Sequence, residues 1–256
     1  MKKFTREDIR KTFKSRDAVW TVWGVDPIVE RILPTIANRT KLTPNQLTLI
    51  AFILGTLAVY FFFLGDRVSL IIAALLAEMG FVFDCMDGKL ARLKGPYANT
   101  GKYAPLGIIA DYATDKTLAI MRGFALGYGQ WRLTGDVSFL ILSFIYTSLH
   151  LYVILISMWY MKTGIEPGDS PIVKVLSSSG RGFINWFREF TRRHRILPIP
   201  SSVETGTILY FFAPILGQVR LGYFIAIPII FLVIVYTVLV LVLKIIKSKG
   251  NDSSTH

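Results

Sequence analysis

Four aspartates in strongly apolar segments constrain this chain more than any other feature of its sequence. Asp84 and Asp87 end one apolar run, and Asp111 and Asp115 begin another. A carboxylate at the depth of the bilayer core costs about 2.5–3.5 kcal/mol, so four would cost about 10–14 kcal/mol. No matching run of Lys or Arg lies in the apolar segments. Because bound cations would offset this cost, the sequence predicts a metal site.

The spacing of the aspartates indicates that they share one site. Asp84 and Asp87 are three residues apart and Asp111 and Asp115 are four apart, so each pair lies on one face of a helix. Two such helices facing each other would bring all four carboxylates together. Carboxylate oxygens suit Mg²⁺, Mn²⁺ or Ca²⁺, and Mg²⁺ commonly completes its shell with water and substrate phosphates. Arg92, just beyond the first pair, is suited to binding phosphate oxygens.

These residues resemble the signature of the CDP-alcohol phosphotransferase family, which combines two Asp, a Gly, an Ala and an Arg with a later Gly and two further Asp. Its fixed positions are occupied by Asp84, Asp87, Gly88, Ala91, Arg92, Gly107, Asp111 and Asp115. Fourteen residues separate Arg92 from Gly107, where the family usually has eight. We interpret the difference as a six-residue insertion in the connecting loop.

The resemblance implies a Mg²⁺-dependent enzyme of phospholipid biosynthesis. It would transfer a substituted phosphate from a CDP-alcohol, with CDP-diacylglycerol as the expected donor, to the hydroxyl of a second alcohol and release CMP. Two Mg²⁺ ions, with Mn²⁺ as an alternative, would be held by Asp84, Asp87, Asp111 and Asp115, of which Asp115 would also be the catalytic base. The nucleotide and diphosphate would contact Asn45, Thr48, Asp84, Gly88, Ala91 and Arg92. The family also implies a homodimer.

The composition is that of an integral membrane protein. Hydrophobic residues make up 52% of the 256 positions, and the mean hydropathy is +0.49. We predict an all-α fold with a basic N-terminal segment at 1–43, a catalytic domain at 44–247 and a disordered tail at 248–256. The N-terminal segment includes an amphipathic interfacial helix with Asp26 as its N-cap. The six predicted transmembrane helices are 44–64, 68–92, 106–129, 137–161, 203–217 and 221–245.

The distribution of basic residues predicts the orientation in the membrane. With six crossings, 24 of the 29 Lys and Arg lie on one side, three on the other and two within the third helix. Because cytoplasmic loops carry the excess of Lys and Arg, both termini and the aspartate site are expected at the cytoplasmic face of a bacterial or archaeal plasma membrane. A nucleic-acid-binding arm would explain the basic N-terminus but not the hydrophobic remainder. Membrane lipids, rather than nucleic acid, are the expected partners.

The basic loop at 162–202 is the predicted acceptor side of the site. One helix is predicted after Ser170-Pro171 and a second from Arg181 to His194. The basic residues admit two interpretations. They form a surface that faces lipid headgroups, or a pocket for a phosphorylated acceptor, as in family members that use inositol phosphate or glycerol phosphate. In the second interpretation the acceptor-binding residues are Lys116, Arg188, Arg192, Arg193 and Arg195.

The sequence leaves the substrates and two rival classes open. The acceptor could be a sugar phosphate, an inositol phosphate, a glycerol phosphate or another polyol. Alternatively, the CDP-linked group could be soluble and the lipid could be the acceptor. A divalent-cation transporter would also place aspartates in the membrane, but it gives no reason for the Gly88, Ala91 and Arg92 pattern. An intramembrane prenyltransferase would have more spanning helices and differently spaced Asp motifs.

Overall fold

The structure is a computed structural model, and it describes residues 3–94, 104–162 and 182–252. These residues are mainly helical, with one isolated backbone bridge between Asp17 and Ile196. The α-helices are α1 (Arg6–Arg10), α2 (Asp26–Arg39), α3 (Pro44–Leu64), α4 (Arg67–Lys94), α5 (Ala104–Thr134), α6 (Ser138–Lys162), α7 (Gly182–Arg193), α8 (Ser202–Thr207), α9 (Ala213–Leu216) and α10 (Val219–Asp252). One π-helical turn precedes α2, and another joins α8 to α9. The predicted all-α class is confirmed for the described residues.

Among the described residues, four helical segments are long and apolar enough to cross a membrane, at Pro44–Leu64, Arg67–Lys94, Ser138–Ile156 and Val219–Leu243. With 31 residues, α5 is about 46 Å long and exceeds the hydrocarbon core of about 30 Å, but it carries charged residues of the predicted site. The apolar segment Ser202–Leu216 is about 22 Å long and falls short of that thickness. The described residues therefore indicate an integral membrane protein, while the count of six spans stays a prediction.

The helix α3 begins and ends as its sequence predicts. Thr43 and Gln46 form a capping box, in which Gln46 N donates to Thr43 Oγ1 and Thr43 N donates to Gln46 Oε1. Gly65 follows the helix at φ +76°, a left-handed conformation that favours glycine. Near this end α5 approaches closely, and a Cβ added at Gly129 would overlap the carbonyl oxygen of Phe62. The small residue permits α3 and α5 to pack together.

The segments α8 and α9 form one helix that is broken by the π-helical turn Ile208–Phe212. Within this turn Tyr210 is buried, and its ring packs edge to face against Tyr146 of α6. At the far end, Arg67 from the start of α4 donates to the carbonyl oxygens of Pro214 and Ile215. The guanidinium thereby binds the exposed end of a short helix, where backbone carbonyls lack partners within the helix.

Residues 4–25, which we call the N-terminal strap, pack against the bundle. Ile9 is fully buried. Asp17 N donates to Arg195 O, and Leu197 N donates to Asp17 O. The donor and acceptor atoms are 2.9 Å apart in both bonds. These bonds tie the strap to the residues that follow α7. The strap therefore makes specific contacts with the protein itself, in addition to any contact with lipid headgroups that its basic residues favour.

The helix α2 is present where the sequence predicts a helix, but its predicted N-cap is wrong. Val25 occupies the cap position, and Asp26 lies inside the helix. The Asp26 carboxylate is buried and pairs with Lys89 of α4, with Oδ1 and Nζ 3.1 Å apart. The partner of the Asp26 carboxylate is thus the buried Lys89 ammonium, and not the backbone N–H groups at the start of α2 that an N-cap would bind. The interfacial role of α2 stays a prediction.

Four predictions concern the loops and the C-terminal tail. The helix predicted at Arg181–His194 is present as α7. The helix predicted after Ser170-Pro171 lies outside the described residues, as does most of the inserted loop. The last helix, α10, continues to Asp252, so residues 248–252 are helical where the sequence predicted a disordered tail.

Candidate active site

A cavity of about 200 Å³ lies between α3, α4, α5, α6 and the broken helix. Asp84 from α4 and Asp115 from α5 both line it, together with Thr48 from α3. Both α4 and α5 pack against α3, and this packing brings the two helices to the same space. The structure thereby joins the two halves of the predicted metal-binding pattern.

The three aspartates whose side chains are described differ in exposure. Asp87 is buried and accepts a hydrogen bond from Thr48 Oγ1 over 2.5 Å. Asp84 is half-buried and Asp115 is exposed at the cavity. Asp111 lies on α5 one turn before Asp115, but its side chain is outside the described set. Two of the four predicted ligands therefore meet at the cavity, and a third borders it through Thr48.

The oxygen donors at this place suit a hard divalent cation. Carboxylate oxygens are preferred ligands of Mg²⁺, and the Thr48 hydroxyl adds a neutral oxygen beside them. Among the side chains that the structure describes, no group of three or more Asp, Glu, His or Cys is arranged to hold a metal ion. Because Asp111 is not among those side chains, the four-carboxylate site stays a prediction.

The predicted nucleotide-binding residues lie near the start of α3 and the end of α4, at Asn45, Thr48, Gly88, Ala91 and Arg92. Arg92 is exposed, and its Nε donates to the carbonyl oxygen of Thr12 in the strap over 2.7 Å. A Cβ added at Gly88 would lie 3.5 Å from Arg92 Nη1. The outer nitrogens of the guanidinium therefore lie over the Gly88 backbone, where they can meet an anion that rests on this glycine.

The cavity continues to three charged or titratable residues to which the sequence pattern assigned no role, Glu78, Arg122 and His150. Arg122 follows Asp115 by seven residues and so lies on the same face of α5, a signal that could have identified it. Arg122 Nε and His150 Nδ1 are buried and have no hydrogen-bond partner among the described residues. Glu78 Oε1 accepts a hydrogen bond from Trp20 Nε1 of the strap over 2.8 Å. A buried donor without a partner is costly, so this end of the cavity suits an anion.

Two of the predicted acceptor-binding arginines form ion pairs on the surface of α7. Arg192 and Arg193 lie 2.9 and 3.0 Å from the carboxylate oxygens of Glu189, and all three side chains are substantially exposed. Hydrogen bonds from Arg192, the larger cause, and from Arg193 hold the pKa of the Glu189 carboxyl below its ordinary value. These pairs fit a solvated, headgroup-facing surface, and an acceptor-binding role for the two arginines stays a prediction.

The other predicted acceptor-binding residues occupy three different settings. Lys116 lines the cavity next to Asp115. Arg188 is half-buried on α7. Arg195, just after α7, donates to Lys14 O of the strap over 2.8 and 3.1 Å. Among the described residues that line the cavity, Lys116 is the one member of the predicted acceptor set.

Comparison with known proteins separates the classes that the sequence left open. A family model described as CDP-alcohol phosphatidyltransferase matches residues 41–248. The chain belongs to the CDP-alcohol phosphatidyltransferase family. Membership assigns the chain to a family of phosphotransferases and gives no support to the cation-transporter or prenyltransferase alternatives. The matched range contains the whole aspartate signature, whereas the strap and α2 lie before it.

Two known proteins are similar to parts of the chain. Archaetidylinositol phosphate synthase of Pyrococcus horikoshii is 38% identical over 117 residues, which are 44% of this chain and 55% of that protein. The bifunctional IPC transferase and DIPP synthase of Thermococcus kodakarensis is 33% identical over 91 residues, which are 36% of this chain and 20% of that protein. The chain thus spans about half the length of the first relative and a fifth of the second.

Proposed function

We propose that this CDP-alcohol phosphatidyltransferase transfers a substituted phosphate from a CDP-linked membrane lipid to the hydroxyl of a phosphorylated polyol and releases CMP. The proposal depends above all on Asp84 and Asp115, which come from separate halves of the family signature and line one cavity. Lys116 and Arg122 line the same cavity and supply positive charge to a space that otherwise carries carboxylates. Such a site is suited to bringing two phosphorylated substrates together.

The donor is proposed to bind where the start of α3 meets the end of α4. Gly88 and Ala91 provide a small surface for the nucleotide, and Asn45 and Thr48 offer polar groups beside it. Arg92 would meet the diphosphate with its outer nitrogens, which lie over Gly88. Two Mg²⁺ ions held by the four signature aspartates would neutralise the diphosphate and stabilise CMP as it leaves.

The proposed reaction forms a bond between the acceptor oxygen and the β-phosphorus of the donor. The bond from that phosphorus to the oxygen that bridges to the α-phosphate breaks, and its electron pair leaves with CMP. Asp115 takes the proton of the acceptor hydroxyl, since it is exposed at the cavity and comes from the last position of the signature. Asp84, Asp87 and Asp111 are assigned to holding the metal ions.

The proposed acceptor is an inositol phosphate. The Pyrococcus horikoshii relative is named an archaetidylinositol phosphate synthase, which supports a phosphorylated inositol here. Within the cavity, a phosphate oxygen would provide the partner that the buried Nε of Arg122 lacks among the described residues.

Two further features of the proposal come from the sequence. The excess of basic residues predicts that the cavity opens to the cytoplasm, where water-soluble phosphorylated acceptors are found. A homodimer is implied by the family resemblance. Both features stay predictions, and neither is needed for the chemistry of a single cavity.

The test is CMP release by the purified chain in lipid vesicles with Mg²⁺. CDP-diacylglycerol and CDP-archaeol are each paired with inositol phosphate, glycerol phosphate or unphosphorylated inositol. We expect CMP release to require a lipid donor and a phosphorylated acceptor, with inositol phosphate as the fastest. Asp84→Asn is the inactive control, and Asp136→Asn in the turn between α5 and α6 is the matched variant that should remain active.

Two other results would change the proposal. Release of CMP only from a water-soluble CDP-alcohol in the presence of a lipid acceptor would exchange the roles of donor and acceptor. No CMP release with any pair, from a chain that unfolds cooperatively on heating, would overturn the proposal.

A further inference from the structure

A buried ion pair joins the residue after the strap to α4, the helix that carries the first half of the signature. Asp26, which directly follows the strap, lies 3.1 Å from Lys89, and both side chains are only 5% exposed. Lys89 lies two residues after Asp87 and three before Arg92, in the middle of the signature. A buried ion pair contributes little net stability, because both charges lose their hydration. The presence of this pair is better explained if it fixes the position of the chain segments that it joins.

A second contact joins the strap directly to Arg92. Arg92 Nε donates to the carbonyl oxygen of Thr12 over 2.7 Å, and Nη1 lies over Gly88 on the other side of the guanidinium. Because the guanidinium is planar, a bond at Nε fixes the plane in which the two outer nitrogens lie. The backbone of the strap thus determines how Arg92 faces the proposed diphosphate position.

Phe13 and Lys14, which follow Thr12, are held in place by Arg195 and Lys89. Arg195 donates twice to Lys14 O and lies 3.4 Å from Asp26. The ring of Phe13 lies 5.0 Å from the Arg195 guanidinium and 5.5 Å from Lys89 Nζ, within the range of cation–π contacts. The ion pair, the ring and the Arg195 bonds together hold the strap where the Thr12 carbonyl meets Arg92.

We propose that Asp26 and Lys89 are positioning residues for donor binding, which act through the strap and the Thr12 carbonyl on Arg92. The proposal rests on the proposed function only in taking a CDP-linked donor as the ligand of Arg92. It assigns an active-site role to a segment that lies before the range matched by the family model. A strap that merely stabilised the fold would not affect diphosphate binding through Arg92.

The experiment compares the binding of CDP and CMP to the purified chain by calorimetry, with Mg²⁺ and without an acceptor. CDP carries the second phosphate that Arg92 is placed to meet, and CMP does not. We expect the unmodified chain to prefer CDP and Asp26→Asn to weaken CDP binding about tenfold or more, with a much smaller effect on CMP. In an Arg92→Ala background, Asp26→Asn should change CDP binding less than about twofold, because Asp26 acts through Arg92.

A second variant covers the case in which loss of one buried partner prevents folding. Arg195→Gln removes the charge that contacts Lys14 O, Asp26 and the Phe13 ring, but it leaves Lys89 as the partner of Asp26. It should weaken CDP binding several-fold when Arg92 is present and have little effect in the Arg92→Ala background. Arg10→Ala is the control, since it removes an exposed arginine that pairs with the largely buried Glu30 in the same part of the chain, and it should bind CDP normally.

The outcomes separate this inference from the proposed function. Equal loss of CDP and CMP binding, or the same loss with and without Arg92, would show a structural role and overturn the inference. Normal CDP binding by folded Asp26→Asn and Arg195→Gln would also overturn it. Failure of the unmodified chain to bind either nucleotide would instead count against the proposed function, and the inference would fall with it.

Discussion

Thr48 on α3 donates its hydroxyl hydrogen to Asp87 on α4, with the two oxygens 2.5 Å apart. The bond connects a predicted nucleotide-binding residue to a signature carboxylate 39 positions later in the chain. A hydrogen bond to an ionised carboxylate is stronger than one between neutral groups. Thr48 therefore fixes the orientation of a carboxylate that is buried where α3 and α4 pack together.

Removal of this hydroxyl should weaken donor binding. Thr48→Val keeps the size of the side chain, but we expect it to weaken Mg²⁺-dependent CDP binding about tenfold or more. Hydrogen bonds to charged groups contribute about 1.5–3 kcal/mol, and Asp87 would lose one. Thr56→Val is the matched control, because the Thr56 hydroxyl bonds to Phe52 O within its own helix. Equal CDP binding by the two variants, measured by calorimetry, would show that Thr48 does not organise the site.

Asp115→Asn should separate binding from turnover. The amide keeps the shape of the side chain but cannot accept the proton of the acceptor hydroxyl, so we expect turnover to fall about 10²–10⁴-fold. CMP binding should stay within about threefold, because Asp84, Asp87 and Asp111 remain as metal ligands. Single-turnover CMP release and calorimetry measure the two quantities. Retained turnover in Asp115→Asn would remove this residue from the role of base.

Removal of divalent metal should abolish nucleotide binding. Without a cation the signature carboxylates repel the diphosphate, and the interaction of CDP with the site should become undetectable. The measurement is the rise in melting temperature that CDP causes, with and without EDTA. EDTA saturated with Mg²⁺ is the control for effects of the chelator itself. An unchanged CDP-dependent rise in metal-free protein would contradict the metal site.

Arg122→Met should impair acceptor binding without affecting the donor. The apolar side chain fills the space but removes the buried donor group, so we expect the KM for inositol phosphate to rise about tenfold or more. The KM for the lipid donor should not change. Arg192→Ala provides the comparison, since Arg192 lies in an exposed pair with Glu189. A larger rise in acceptor KM for Arg192→Ala than for Arg122→Met would instead favour the pocket on α7.

Gly129→Ala should destabilise the bundle. An added methyl group would overlap Phe62 O where α3 and α5 meet, and overpacking of this kind costs about 1–3 kcal/mol. Elsewhere in a helix the same substitution stabilises, because glycine is a poor helix former. Gly182→Ala, with nothing within 4 Å of the added Cβ, is therefore the control. Thermal unfolding in detergent should show a lower melting temperature for Gly129→Ala only.

Periodic and local signals in the sequence are enough to predict most helices and to place Asp84 and Asp115 together, whereas the four-carboxylate metal site stays a prediction. The apolar runs of α3, α4 and α10 have lengths that only a membrane explains, and the capping box at Thr43 marks the start of α3. The spacing of the signature assigns Asp84 and Asp115 to one site, and both side chains line the same cavity. These features depend on residues that are close together in the sequence or on the apolar composition of long segments.

Features that depend on distant contacts were not predicted. Asp26 has the sequence of a helix cap, but Lys89 of α4 is its partner in the structure. The sequence does not indicate that Arg195 bonds to Lys14 and lies close to Asp26, and an acceptor-binding role for Arg195 stays a prediction. Each carries a charge whose partner is decided by tertiary packing, and no periodicity in the sequence specifies that partner. Arg122 is different, because its spacing from Asp115 places it on the same face of α5.

The strap has a consequence for the order of assembly during synthesis. The Val19 amide donates to Glu204 Oε1, and the two residues are 185 positions apart. At about 5–20 residues per second, a ribosome needs on the order of 10–40 s to proceed from the first to the second. For most of that interval α4 is present, but Glu204, which the strap contacts, has not yet been synthesised. The strap can therefore take its final position only after residue 204 has been synthesised.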